Sequence, residues 1–352
     1  MAIAIPMLLL VLFGHALTLD VDQVPMVVWD QSGSPVSRDL ISRFSGSKYF
    51  LITGHASSYQ EVERAIDSGR ALMALIIPTR FGSLIHAGRP APVQLIVDGS
   101  DSNTATIAMG YADAIVQSYS QEIAVHESRR LGKEALRPPL ELRPRVWFNP
   151  DMESKNYIVP GLIAVIMMVI AALLTSLTMA REWERGTMEQ LISTPVKGHE
   201  LIIGKLLPYF AIGMLDVLLA VCMGKFLFHV PLRGSVALLF GMAAIFLAGT
   251  LSLGMVISIV AKSQLLASQV AMVLTFLPAF LLSGFMYAIS NMPKPIQLIT
   301  HLIPARYFVA LIKGIYMKGV GLEVLAAEAG LLAVFTAAMA ALAAMKFKKK
   351  LE

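Results

Sequence analysis

One carboxylate stands inside an apolar run, Asp216 in IGMLDVLLAV. A carboxylate in such a setting is costly in lipid, and it can carry a proton, bind a cation or hydrogen-bond a neighbouring helix. A place on a transport path and a role in packing are both open to Asp216. A second group of polar residues is the segment REWERGTMEQLISTPVKGHELIIGK, residues 181–205, which sets charged side chains between two apolar stretches. Met188, Leu191 and Ile192 fall at i, i+3 and i+4, leaving Glu182, Glu184, Arg185 and Glu189 available to water. Gly186 weakens this helix in its middle, and Pro195 disfavours helix at Thr194 and stops it. Such an element lies against a membrane face and offers its charges to a partner, or to solvent as an ordinary polar loop.

Enzyme chemistry has no comparable footing. There is no GxxxxGK[ST] loop to cradle nucleotide phosphates, no HExxH and no GxSxG. The seven histidines are scattered without metal-ligand spacing, and His126-Glu127 reads as a solvated helix face. VDGSDSNT, residues 97–104, lacks the glycine and glutamate spacing of a calcium loop and reads as a strand-to-helix turn capped by an Asx or Ser side chain. The chain is therefore expected to be no enzyme and to hold no metal and no cofactor. A net charge of +5 over 352 residues, with KFKKK near the end as the one basic run, points away from nucleic acid. Cys222 is the single cysteine, so no disulfide can form within the chain.

The elements that must position these residues are apolar. Hydrophobic residues make up 56% of the chain and charged ones 15%, well below the roughly 25% charged of a soluble domain. Long apolar runs without strand-like alternation read as membrane helices. They cover 2–19, 158–180, about 206–228, about 235–260, about 265–288 and a last run ending at Met345, which makes six spans. A further stretch, 296–317, is broken by Pro304 and carries Arg306 and Lys313, so a re-entrant hairpin over 290–319 is expected. Lys225 can snorkel from the end of the third span. Ala244, Ala248 and Ser252, spaced by four, mark a close helix contact. Pro278 is expected to kink the fifth span, and LLSGFMY after it, with Ser283 and Phe285, is expected to line an exit.

Six spans put both termini on one side, and the bias of Lys and Arg places them in the cytoplasm with 181–205 and the basic tail 346–352. Residues 20–157 then lie outside. There VPMVVWD, KYFLIT, RALMALIIP and PVQLIVDG read as strands alternating with helical segments, followed by a helix from about Asn103 to Arg130 and a proline-punctuated linker, RPPLELRPRVWFNPD. The expected fold class is an α-helical polytopic membrane protein of six helices with an α/β extracytoplasmic domain inserted between the first two spans: 1–19 the first span, 20–157 the domain, 158–345 five further helices with a cytoplasmic helix over 181–195.

REWERGTMEQLISTPVKGHELIIGKLLPYFAIGMLD resembles the signature of ABC transporter permeases of the type-2 exporter class, bacterial multidrug-type members above all. VVWDQSGSPVSRDLI, PAPVQLIVDGSDSNTATIAMGYADAIV, VWFNPDMESKNYIVPGLIAVI, FLPAFLLSGFMYAISNMPKPIQLITHLIPARYF and LIKGIYMKG agree with it in order along the whole chain. The resemblance implies a permease of the bacterial inner membrane that exports a drug-like, lipid-like or other amphipathic substrate. It would pair with a second permease copy or a related permease, and with separate ATPase subunits that hold ATP and magnesium. A periplasmic adaptor and membrane lipid are further implied partners. Glu182, Arg185, Gly186, Thr187, Glu189, Gln190 and Leu191 would couple to the ATPase; Asp216, Pro278, Ser283 and Phe285 would be candidates for the transport path. Family members carry a basic amphipathic helix ahead of the first span, and here Met1 leads directly into AIAIPMLLLVLFGHAL. This implies an upstream natural start or a truncated chain. Two other classes compete: a secondary transporter or channel that uses Asp216, and a membrane-anchored sensor whose outer domain binds a ligand.

Overall fold

The computed structural model describes residues 2–17, 21–130, 147–150, 153–192 and 197–347. The linker residues 131–146, Thr194, Pro195 and the tail lysines 348–350 lie outside them. Contacts divide the chain into two compact units, Asp20–Pro144 on one hand and Met1–Leu19 with Arg145–Glu352 on the other. The first helix, α1 (Ala4–Ala16), has 13 residues. At 1.5 Å per residue it reaches about 20 Å, short of the roughly 30 Å of bilayer hydrocarbon. It buries Leu10 in the helical core and brings Gly14 against the Phe228 ring, where a Cβ would come within 2.5 Å of a ring carbon.

The unit Asp20–Pro144 is built on four strands, β1 (Val24–Asp30), β2 (Phe50–His55), β3 (Met73–Ile77) and β4 (Gln94–Val97), in the order β2-β1-β3-β4. β1 pairs in parallel with β2 and β3, and β4 closes the edge antiparallel to β3. Five-for-five burial of Met73–Ile77 marks β3 as covered on both faces. One face packs Met26, Val28, Met73 and Leu75 against α2 (Pro35–Ser45), α4 (Phe81–His86) and α5 (Ser102–Arg130), through Leu40, Phe44, Phe81, Ala108, Ala112 and Tyr119. The other packs Val27 and Ala74 against Val62 and Ala65 of α3 (Tyr59–Asp67). Ser34 and Ser58 cap α2 and α3 by accepting from backbone N–H groups. The turn before α5 is capped by Asp101, which accepts from the Asn103 and Thr104 amides.

The second unit continues with α6 (Lys155–Glu184), α7 (Thr187–Ile192), α8 (Gly198–Phe226), α9 (Val236–Ala261), α10 (Gln264–Leu282), α11 (Lys294–Ile299), α12 (Pro304–Lys313) and α13 (Leu322–Lys346). Among the described residues, α6, α8, α9, α10 and α13 are long and apolar enough to cross a membrane. The pair Lys294–Leu302 and Pro304–Lys318 is bent by 90° between its halves, so the count is five or six. Proline at the first position of α12 explains the bend, because Ile303 before it is held extended. α6 and α9 form the centre, with 78% and 67% of their most apolar windows buried, against 28% for α8, 22% for α10 and 11% for α13. The closest helix approaches use glycine: a Cβ at Gly249 would meet Thr336 of α13 at 2.6 Å, and one at Gly254 would meet the Ala172 carbonyl of α6 at 2.6 Å. Those sites stand beside the expected Ala244, Ala248 and Ser252, of which Ser252 turns its hydroxyl back to the Ala248 carbonyl at 2.7 Å.

Candidate functional site

The charged segment forms an elbow. α6 carries its last turn to Glu184, Arg185 ends it, Gly186 turns the chain at φ 71°, and α7 starts at Thr187. The weakness expected at Gly186 is a complete break, since a left-handed residue cannot continue either helix. The polar side chains then divide. Arg181 donates through Nε to Gln264 Oε1 at 3.2 Å, and Glu184 accepts from the Gln264 backbone at 2.7 Å, which ties the end of α6 to the start of α10. Glu182 is half-buried and ion-paired to Lys205 of α8, and Thr187 donates to the Glu182 carbonyl at 3.2 Å. Arg185, Thr187 and Gln190 are exposed. The side chains of Glu189, Leu191 and Ile192 lie outside the described residues.

Beneath the elbow, Met188 is fully buried among Met179, Leu201, Met255, Ile259 and Ala343, which come from α6, α8, α9 and α13. Trp183 lies half-buried beside this cluster, with the Lys262 ammonium 5.7 Å from its ring. A 6-residue helix has little stability of its own, and among the described side chains of α7 it is Met188 that joins this buried cluster.

The residues considered for a transport path fall in different places. Asp216 is 1% exposed on α8, next to the core residues Val217 and Ala220, and its Oδ1 has no hydrogen-bond partner among the described residues. Pro278 sits half-buried within α10. Ser283 and Phe285 come together after α10: the Ser283 hydroxyl accepts from the Phe285 amide at 3.2 Å, and both side chains are buried. Phe285 lies against α6 at Gly161, where a Cβ would stand 2.4 Å from its ring. Ser283 lines a cavity of about 400 Å³; Asp216, Pro278 and Phe285 do not.

That cavity contains residues to which sequence reasoning gave no role. Lys313 donates to the Gly284 carbonyl at 3.0 Å and rests 3.2 Å from the centre of the Tyr157 ring. Tyr157 donates to the same carbonyl at 3.1 Å. Arg306, His301, Tyr307 and Glu328 complete its polar lining. One sequence signal pointed here: Arg306 and Lys313 are seven apart, two helical turns, and so share a face of α12.

The sequence has well-defined relatives. The family model described as ABC-2 family transporter protein matches residues 1–345. "Probable multidrug ABC transporter permease YbhS" of Escherichia coli (strain K12) is 38% identical over 319 residues, covering 90% of this chain and 83% of the relative. "Probable multidrug ABC transporter permease YbhR" of the same organism is 31% identical over 340 residues, covering 97% and 90%. At greater distance, "ABC transporter permease protein NatB" of Bacillus subtilis (strain 168) is 23% identical over 346 residues, 86% of each chain. With helices fit to cross a membrane and a match over nearly its full length, this chain is a multi-pass membrane protein of the ABC-2 transporter family.

Proposed function

We propose that the chain is the membrane permease of an ATP-driven exporter of the bacterial inner membrane, moving an amphipathic substrate outward under power from separate ATPase subunits. One observation carries this reading: the elbow reaches every long helix of the bundle. Met188 is packed among residues of α6, α8, α9 and α13, while Arg181 and Glu184 hold the start of α10. A push on the exposed face at Arg185 is therefore delivered to five helices at once. ATP and magnesium would be held by the partner, whose closure supplies the push. The exposed flanks of α8, α10 and α13 suit a second permease or lipid. In this arrangement the elbow and both termini face the cytoplasm, and the α/β unit lies outside, where an adaptor could meet it.

Glu182 and Arg185 divide the work. Glu182 pairs with Lys205 within the chain, whereas Arg185 is exposed, so the charged contact with the ATPase falls to Arg185. Affinity purification of the tagged chain from membranes is expected to bring down an ATPase with a phosphate loop. Arg185→Glu should leave the chain in the membrane, lose the ATPase and stop export, because a reversed charge meets a surface complementary to the original. An Arg185→Glu permease that retains both its ATPase and its export overturns the assignment. Asp216 supports one competing reading, a proton- or ion-coupled carrier, through its unpartnered buried oxygen. Ion flux by the purified chain without ATP would favour that reading.

A further inference from the structure

The cavity beside Lys313 has a chemical character that the elbow does not explain. Its lining carries Lys313 and Arg306 against one carboxylate, Glu328. Among the described residues Lys313 makes no ion pair, and Glu328 makes neither a hydrogen bond nor an ion pair. An ammonium has three N–H donors, and Lys313 spends one on Gly284. Arg306 directs Nη1 at the Gln297 carbonyl, the Thr300 hydroxyl and His301 Nδ1, leaving its other guanidinium donors for a ligand.

The cations are held rather than loosely placed. Lys313 is gripped between the Tyr157 face and the Gly284 carbonyl, a cation–π contact reinforced by a hydrogen bond. Gly161 leaves room for its stem: a Cβ there would come 3.3 Å from Lys313 Cε. Tyr307 donates to the His301 carbonyl at 2.7 Å and fixes the turn on which Arg306 leans. A half-buried ammonium without a counter-ion is unfavourable in apolar surroundings, and an anion relieves that cost. The rim is apolar. Ala310, Ala327 and Leu331 line the opening with exposed side chains, and Val334, one turn further along α13, is 66% exposed.

We propose that this cavity receives the anionic head group, a phosphate or carboxylate, of an amphipathic molecule whose apolar part lies along α12 and α13. It deepens the exporter reading by naming a substrate class, and it rests on that reading only in treating the ligand as cargo. A cationic head group would meet two positive charges and one negative.

Binding of radiolabelled dodecyl phosphate to the purified permease in phosphatidylcholine nanodiscs, without any ATPase, tests this. Saturable binding is expected. Lys313→Gln and Arg306→Gln should each weaken it by about tenfold or more, the scale of a lost charge-assisted hydrogen bond. Lys313→Arg should restore most of it. Glu328→Gln should tighten binding severalfold; since Glu328 holds no partner among the described residues, this variant reads the charge of the site even where Lys313→Gln does not fold. Competition by phosphatidylglycerol placed in the disc would assign the head group to a membrane lipid; competition by free dodecyl phosphate alone would assign it to a detached amphiphile, and both support the site. Three results overturn it: equal binding of dodecyltrimethylammonium, weaker binding by Glu328→Gln, or inorganic phosphate competing as well as dodecyl phosphate. An ATPase missing from the pulldown would sink the exporter reading and leave this binding intact, so the two failures are distinguishable.

Discussion

Asp216 and Tyr119 show how differently one buried polar atom behaves in each unit. Asp216 has an oxygen without a partner among the described residues of the helical bundle, so changing it to Asn removes the charge at little loss of structure. Asp216→Asn is expected to reach the membrane at normal levels and to change export across a pH series; unchanged export at every pH would make Asp216 a packing residue. Tyr119 is instead satisfied, donating to the Val36 carbonyl at 3.0 Å. Burial, and then the nearby Asp39 carboxylate, push its phenol up to about 12 from an ordinary 10.0. A raised folded-state value means that the neutral phenol contributes its full stability below pH 10 and loses it as pH rises toward 12. Tyr119→Phe should cost about 1 kcal/mol at neutral pH and flatten the fall between those limits. Denaturant unfolding followed at Trp29, with Trp147 and Trp183 replaced by Phe, would measure both effects; a variant as steep as the parent would contradict them. Asp216 could be picked out from the sequence because one acidic letter interrupts an apolar run. Lys313 was equally visible as a letter, but its role depends on Tyr157 and Gly284, which lie far along the chain and meet it only after the bundle forms.

Elements, more than single residues, carry the coupling argument, and Gly186 is their joint. A Cβ at Gly186 meets nothing within 4 Å among the described residues, so there a side chain has room, and the backbone at φ 71° is what resists it. A β-branched residue pays about 1–2 kcal/mol or more there, while Asn tolerates the left-handed region. Gly186→Val is therefore expected to misalign α7, with normal membrane levels but weakened ATPase capture and export, and Gly186→Asn to stay near the parent. Equal export by the two variants would show that the elbow's angle carries nothing. Sequence patterns located most elements. β1 begins and ends where VPMVVWD does, because valines and a tryptophan between turn residues leave little choice. β2 was expected over KYFLIT but runs from Phe50 to His55. Its pairing with β1 shifts between Met26 and Val27, and such an irregularity has no hydrophobic signature. The break at Gly186 was foreshadowed by glycine, whereas the pairing of Glu182 with Lys205 required α6 and α8 to come side by side.

At the scale of the molecule, the bundle has two chemically distinct ends. The elbow end, where α6 and α9 finish, α8 and α10 begin and α13 closes, carries Arg181, Arg185, Lys197, Lys205, Lys262 and Lys346, with Lys348, Lys349 and Lys350 next in sequence. The opposite end, where α6 and α13 begin and α10 finishes, has the Lys313 cavity and carries Lys155, Lys225, Arg233, Lys294, Arg306, Lys313 and Lys318. Positive charge in short connections favours the cytoplasm, so the end bearing the elbow, with nine such residues against seven, should face inward. α1 bears less on this question, since its 13 residues fall short of the bilayer hydrocarbon. Sidedness is best read with single cysteines in a Cys222→Ser background. An impermeant thiol reagent applied to intact cells should label Gln60→Cys, on the exposed surface of α3, and should miss Arg185→Cys until the cells are opened. Labelling of Arg185→Cys from outside would invert the bundle and remove the elbow from any cytoplasmic ATPase. Failure to label Gln60→Cys from outside, with labelling after lysis, would place the α/β unit in the cytoplasm, and the exporter arrangement would then lose its outer domain while the elbow retained its partner.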